Sequence, residues 1–307
     1  MSTPVREGTG TPLDRVPGVK GTDVEVVRWA SPAGGGECTI VWLPTDRLDT
    51  VVANTGITAV ERGRAAGYHR DSDRLLSLGS AWLMRQVLAP LLDVAPLEVP
   101  IARHCPQCAR PHGRPVVEAT ASEGATIEVS ATHSRGLVGV AVSTSGAIGI
   151  DVENLKGRGP AAWPVVWRAL GRPPASAGPE SMPGDKLPHE PCDGPVDDPE
   201  SQPVAALLTG SGYRQVTKPA TRQVTGLENE LESVRIAART WVRTEAVLKA
   251  TGHGLGVSPR SVRVTTGDAP RVTRWPWGEP DGHVSLFDLS PDGPYAGALA
   301  VIHPGNA

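Results

Sequence analysis

A chain of 307 residues with 39% hydrophobic and 21% charged residues reads as globular and soluble, with enough apolar content for a sizeable core. A formal net charge of −3 gives no overall basic field, which argues against nucleic acid as a partner. Four cysteines, two of them isolated (Cys38 and Cys192), make no disulfide framework, and no signal core or membrane-length apolar run is expected, so the expected setting is cytoplasmic with no membrane partner.

Residues 1–20 are polar and rich in Gly and Pro, and are expected to form a loose arm. "DVEVVRWA" (23–30) and "CTIVWLP" (38–44) alternate apolar and polar as strands do, with "SPAGGGE" as the turn between them. "DSDRLLSLGSAWLMRQVLAPLL" (71–92) predicts a helix, N-capped by Asp71 or Ser72, with Leu75, Leu78, Trp82 and Val87 on its apolar face. Residues 126–153 predict strand, turn, strand, turn, strand. The proline-rich segment 171–225 predicts a loop or lid. A long helix follows, and residues 281–304 predict a last hairpin.

"VSATHSRGLVGVAVS" and "VSLFDLSPDGPYAGALAV" share a layout of Val-Ser, a polar turn with Gly, and a small-residue strand. Two similar α/β halves fit this pattern, and so do two ordinary hairpins. On the long helix, Leu227, Leu231, Val234, Ala238, Trp241 and Leu248 step by three and four, which predicts a buried stripe. Glu245 falls on that stripe, where a bare carboxylate is costly. A pairing with Lys249 four residues on would settle it at the stripe's edge. Gly252 is the expected C-cap.

"AIGIDVENL" (147–155) places Asp151 and Glu153 where a buried strand is expected to end. Strand alternation turns both carboxylates to one face and Val152 to the other. Two like charges side by side ask for a cation or a proton between them, and a hard divalent cation suits carboxylate oxygens. Asp151, Glu153 and Glu245 thus form a candidate magnesium set, with Lys249 near enough to answer phosphate charge.

"GIDVE" and "WVRTEAVLKATGHGL" resemble the two signature motifs of the 4'-phosphopantetheinyl transferases, and the larger, surfactin-type (Sfp-type) branch fits best. "HGRPVV" (112–117) is similar to the family's Gly-Lys-Pro segment. "VSATHSRGLVGVAVS" is similar to its histidine segment, and "RDSDRLLSLGSAWLMRQVL" resembles its early Arg-containing helix. The likeness covers most of residues 70–155 and 235–304.

The resemblance implies an α/β (α+β) fold, a monomer of two similar halves related by a pseudo-twofold axis. Residues 21–148 would form a coenzyme A-binding N-terminal half and 149–307 a C-terminal half with the metal and catalytic residues. It implies magnesium-dependent transfer of the phosphopantetheine arm of coenzyme A to a serine of an apo acyl or peptidyl carrier protein, leaving adenosine 3',5'-bisphosphate. Asp151, Glu153 and Glu245 would hold Mg2+, or Mn2+ in its place. Glu245 would act as base and Lys249 would steady phosphate charge or protonate the leaving group. His133 would contact the adenosine 3'-phosphate, with Arg114 and Arg74 as further phosphate contacts. Fatty-acid, polyketide and nonribosomal-peptide carriers all remain open as substrates.

The chain also departs from the family. Thr244 stands where the family often has lysine. The histidine segment lacks its Asn, and Ala131 and Thr132 intervene between Ser130 and His133. The Arg-Phe segment between the two signatures is absent. Cys105 and Cys108, with His104 or His112, have metal-ligand spacing but no second pair to complete a zinc site, and an ordinary turn with reduced thiols is the favoured reading over zinc. Two other functions stay open: a nucleotide hydrolase that splits a pyrophosphate with the same carboxylates, and a non-catalytic relative that binds coenzyme A or a carrier.

Overall fold

A computed structural model of the chain describes residues 23–31, 34–48, 56–103, 113–120, 124–156, 163–171, 223–274 and 284–303. The expected arm, the segment holding Cys105, Cys108, His104 and His112, Cys192, and most of the proline-rich stretch lie outside these residues.

The alternating runs near the start pair as an antiparallel hairpin, β1 (Asp23–Ser31) with β2 (Gly34–Pro44). Gly34, Gly35 and Gly36 belong to the ladder rather than to the turn, which is shorter than expected. A short helix α1 (Ala59–Ala66) was not legible in the periodicity; Thr58 and Glu61 close its N-terminus as a capping box. The helix α2 (Asp71–Leu92) has the predicted bounds, and Trp82 and Val87 are buried while Leu75 and Leu78 are half-buried. Its N-cap is Arg70 rather than Asp71 or Ser72, because Arg70 is the last extended residue and its carbonyl accepts from the Arg74 amide. Asp71 and Asp73 instead sit in the first turn, where they suit the helix dipole. By length and composition α2 passes as a membrane span, contrary to expectation, but much of its apolar surface is covered by the protein's own core.

Two small strands, β3 (Ile101–Arg103) and β4 (Pro115–Val117), pair with each other. The predicted triple follows as β5 (Glu128–Ser134), β6 (Leu137–Ser143) and β7 (Ala147–Asn154). After a short helix α3 (Trp163–Ala169) comes the long helix α4 (Gln223–Ala250), which begins inside the segment expected to be loop. A two-stranded ribbon, β8 (Arg263–Val264) with β9 (Val272–Arg274), precedes the final hairpin of β10 (Val284–Leu289) and β11 (Tyr295–Ile302).

The result is a mixed α+β arrangement of small antiparallel sheets. The four-stranded sheet has the order β1-β2-β6-β5, and the three-stranded sheet has the order β10-β11-β7. The two share a chain layout of strand, long helix and hairpin. In both, the hairpin's second strand pairs with the leading strand: β6 with β2, and β11 with β7. One apolar core lies between α2 and the first sheet, and a second lies around α4 and the other sheet. A third joins the sheets, with Ile40 and Trp42 of β2 meeting Ile148, Ile150 and Val152 of β7 and Leu299 and Val301 of β11. Alternation along β7 sends Ile148, Ile150 and Val152 into this joint core and leaves Gly149, Asp151 and Glu153 for the side of α4.

The stripe expected on α4 is only partly right. Ala238, Trp241 and Leu248 are buried, but Leu231 is 58% exposed, and from Ala237 onward even Thr240, Arg243, Thr244 and Glu245 are buried. That part of the helix is enclosed on more than one side, so a single-stripe reading underestimates its burial.

Candidate functional site

Strand β7 does not stop at the carboxylates. It stays paired with β11 as far as Asn154 opposite Tyr295, so Asp151 faces Ala298 and Glu153 faces Ala296 inside a regular ladder. Both acids are nine-tenths buried or more. Small residues on β11 leave the space above them to α4.

Helix α4 approaches β7 at Gly149. A Cβ there would collide with the Ala246 carbonyl and the Ala250 amide, so only glycine lets the helix backbone sit this close. The approach turns Lys249 onto the strand, and its Nζ lies 3.0 Å from Asp151 Oδ1. Lys249 thus reaches a partner on β7, beyond the local Glu245 pairing that helix spacing suggested. Glu245, one turn before Lys249 and next to Ala246, belongs to the same side of α4 and is 5% exposed. Gly252 ends the helix in the left-handed region (φ 76°), its amide donating to the Lys249 carbonyl, as the C-cap reading expects.

On its other edge β7 meets β5 through side chains. The amides of Ile150, Val152 and Asn154 donate to the hydroxyls of Ser130 (3.1 Å), Thr132 (3.1 Å) and Ser134 (2.9 Å). Thr132 Oγ1 donates in turn to Asp151 Oδ1 at 3.1 Å, and Ser134 Oγ to Glu153 Oε2 at 3.1 Å. These hydroxyls were missed in the sequence. Their signal is a period of two, hydroxyls at 130, 132 and 134 alternating with Val129, Ala131 and His133.

The other residues singled out from the sequence are placed differently. His133 shares the face of β5 that carries Val129 and Ala131, opposite the hydroxyls. Arg114 pairs with Glu128 and makes a long contact to the Ala250 carbonyl, where a cation suits the end of the helix dipole. Arg74 makes local bonds at the start of α2, to the Tyr68 carbonyl at 2.7 Å and to Asp71 at 2.8 Å. Thr244 is 1% exposed and turns its hydroxyl back on the Thr240 carbonyl.

The donor set fits a hard cation in its chemistry. Asp151 Oδ1 takes both Lys249 and Thr132, while its buried Oδ2 has no hydrogen-bond partner. An orphaned carboxylate oxygen is costly in a buried site, and a divalent cation is a natural partner for it. Glu153 lies on the same face of β7 as Asp151, and Glu245 on the side of α4 that carries Lys249. Among the described residues, no three His, Cys, Asp or Glu side chains are gathered tightly enough to hold a metal as they stand. The arrangement can bind an anion through Lys249, accept a proton at a carboxylate, and offer oxygen ligands.

No protein-family model matches the chain, and no curated protein is significantly similar to it in sequence.

Proposed function

We propose that this chain transfers the 4'-phosphopantetheine arm of coenzyme A to a serine hydroxyl of an apo carrier protein, with magnesium, as a phosphopantetheinyl transferase built of two similar halves. The observation that carries the reading is the Lys249–Asp151 contact, which joins the two sequence motifs across 98 residues at an acid with an orphaned buried oxygen. The shared strand, helix and hairpin layout of the two sheets supports the same reading.

In this reading Asp151, Glu153 and Glu245 hold Mg2+ or Mn2+, with Asp151 Oδ2 as an available ligand. The ion, when bound, neutralises charge on the pyrophosphate of coenzyme A. Glu245 takes the proton of the carrier serine, directly or through a water, as its oxygen attacks the β-phosphorus of the pyrophosphate. A new P–O bond forms to serine, and the bond to the bridging oxygen breaks. Adenosine 3',5'-bisphosphate leaves, and Lys249 compensates its charge or supplies a proton to it. Burial strengthens each of these charge contacts relative to water. His133, Arg114 and Arg74 are the proposed contacts for the nucleotide phosphates.

The test is intact-mass spectrometry of apo carriers from fatty-acid, polyketide and nonribosomal-peptide systems, incubated with the protein, coenzyme A and magnesium. A gain of about 340 Da, the mass of the covalent arm on serine, abolished by chelator, is expected on at least one carrier. No gain on any carrier, together with no heat of coenzyme A binding, sinks the reading. Binding without transfer marks a non-catalytic relative.

A further inference from the structure

We infer that Thr132 and Ser134 are positioning residues that fix the orientation of the two β7 carboxylates for a divalent cation, while Ser130, on the same ladder, is purely structural. The inference rests on the reading of Asp151 and Glu153 as metal ligands and adds to it the groups that aim them.

A hydroxyl has one proton and two lone pairs. Thr132 Oγ1 accepts from the Val152 amide, and Ser134 Oγ accepts from the Asn154 amide. Each amide bond occupies a lone pair and leaves the hydroxyl proton to be donated elsewhere. Thr132 gives it to Asp151 Oδ1 and Ser134 gives it to Glu153 Oε2. Each hydroxyl therefore grips one acid and the amide of the next residue, and this two-point grip limits rotation of the carboxylate. The period of two in β5 matches the period of two in β7, so one mechanism serves both acids.

The consequence is clearest at Asp151. Thr132 and Lys249 both engage Oδ1, which directs the orphaned Oδ2 away from them as the oxygen left for a ligand. Hydrogen bonds of this kind orient ligating carboxylates, and their loss typically costs about 10–100-fold in metal affinity. Ser130 accepts from the Ile150 amide in the same way, but the residue it would steer is Gly149, which has no side chain. Ser130 is thus an internal control: its removal orphans a β7 amide without loosening an acid.

The experiment titrates Mn2+ into wild type, Thr132→Val, Thr132→Ser, Ser134→Ala and Ser130→Ala. Free Mn2+ is read by electron paramagnetic resonance, and urea midpoints are taken on the same samples. Thr132→Val and Ser134→Ala are expected to bind Mn2+ about 10–100-fold more weakly. Thr132→Ser and Ser130→Ala are expected to bind as wild type does, although Ser130→Ala lowers the urea midpoint about as much as Thr132→Val. Should Thr132→Val not fold, Ser134→Ala against Ser130→Ala carries the comparison. Wild-type affinity in both Thr132→Val and Ser134→Ala, or equal losses in Ser130→Ala, overturns the inference while leaving the metal assignment standing. No Mn2+ binding by wild type overturns the inference together with the metal assignment beneath it.

Discussion

Lys249 on α4 ion-pairs with Asp151 on β7, and both side chains are about nine-tenths buried. A pair this enclosed is held by more than charge: Gly149 admits the helix, and Thr132 shares the oxygen that Lys249 engages. Removing Lys249 leaves Asp151 as a buried charge without its ammonium.

Lys249→Met should therefore lower stability by about 3–5 kcal/mol, the usual cost of breaking a buried pair from one side. Adding Asp151→Asn to that variant should recover part of the loss, because the stranded charge is gone. Urea denaturation of the two single variants and the double gives the coupling. An unchanged midpoint in Lys249→Met would mean that Asp151 does not depend on the ammonium.

Asp151→Asn and Glu245→Gln keep shape and remove charge. Each is expected to abolish transfer to a carrier while the protein stays folded. Circular dichroism checks the fold and intact-mass assays check turnover. Near-normal turnover in either variant at low magnesium would remove that residue from the metal and base assignment.

Gly149→Ala probes the close approach of α4 to β7. The new methyl meets backbone, which cannot swing aside as a side-chain tip does. A loss of about 1–3 kcal/mol is expected, as for other overpacked sites. The helix must also shift, which stretches the Lys249–Asp151 contact, so transfer should slow as well. A fully active and stable Gly149→Ala would show that the helix can slide without cost.

Arg243 tests a different joint. It is fully buried, bonded to both oxygens of Asp288 at 2.7 and 2.5 Å and to the carbonyls of Thr265 and Gly267. Arg243→Met strands an acid and two carbonyls, and is expected to cost about 3–5 kcal/mol. Because none of these groups touches Asp151, metal affinity of the folded fraction should be unchanged. Mn2+ titration of Arg243→Met below its unfolding transition checks this.

Cys38 sets a pH dependence. Complete burial pushes its thiol well above the ordinary range. The unfolded thiol ionises near pH ~8.5 while the folded one stays neutral. The unfolded state then binds fewer protons, so stability is full below that pH and falls as pH rises. The slope from this group approaches about 1.4 kcal/mol per pH unit. Cys38→Ala should lose stability at neutral pH from the cavity but show a shallower alkaline decline. Equal slopes in both proteins, from urea midpoints between pH 8 and 10, would rule the thiol out as the cause.

The sequence by itself determined the local elements whose signal is periodic and short-range. Alternation at 23–30, 38–44 and 126–153 marked strands, three- and four-residue spacing marked the helix at 71–92, and the acids at 151 and 153 were assigned to one strand face. Only the tertiary structure decided what those acids meet. Spacing along α4 pointed from Lys249 to Glu245, whereas the Lys249 contact to Asp151 depends on how close two backbones come, which the missing side chain of Gly149 sets. The hydroxyls of β5 looked like ordinary strand polarity until β7 lay beside them with amides to satisfy. Local pattern is written in neighbouring residues, but pairing across 98 residues depends on packing that no window of sequence contains.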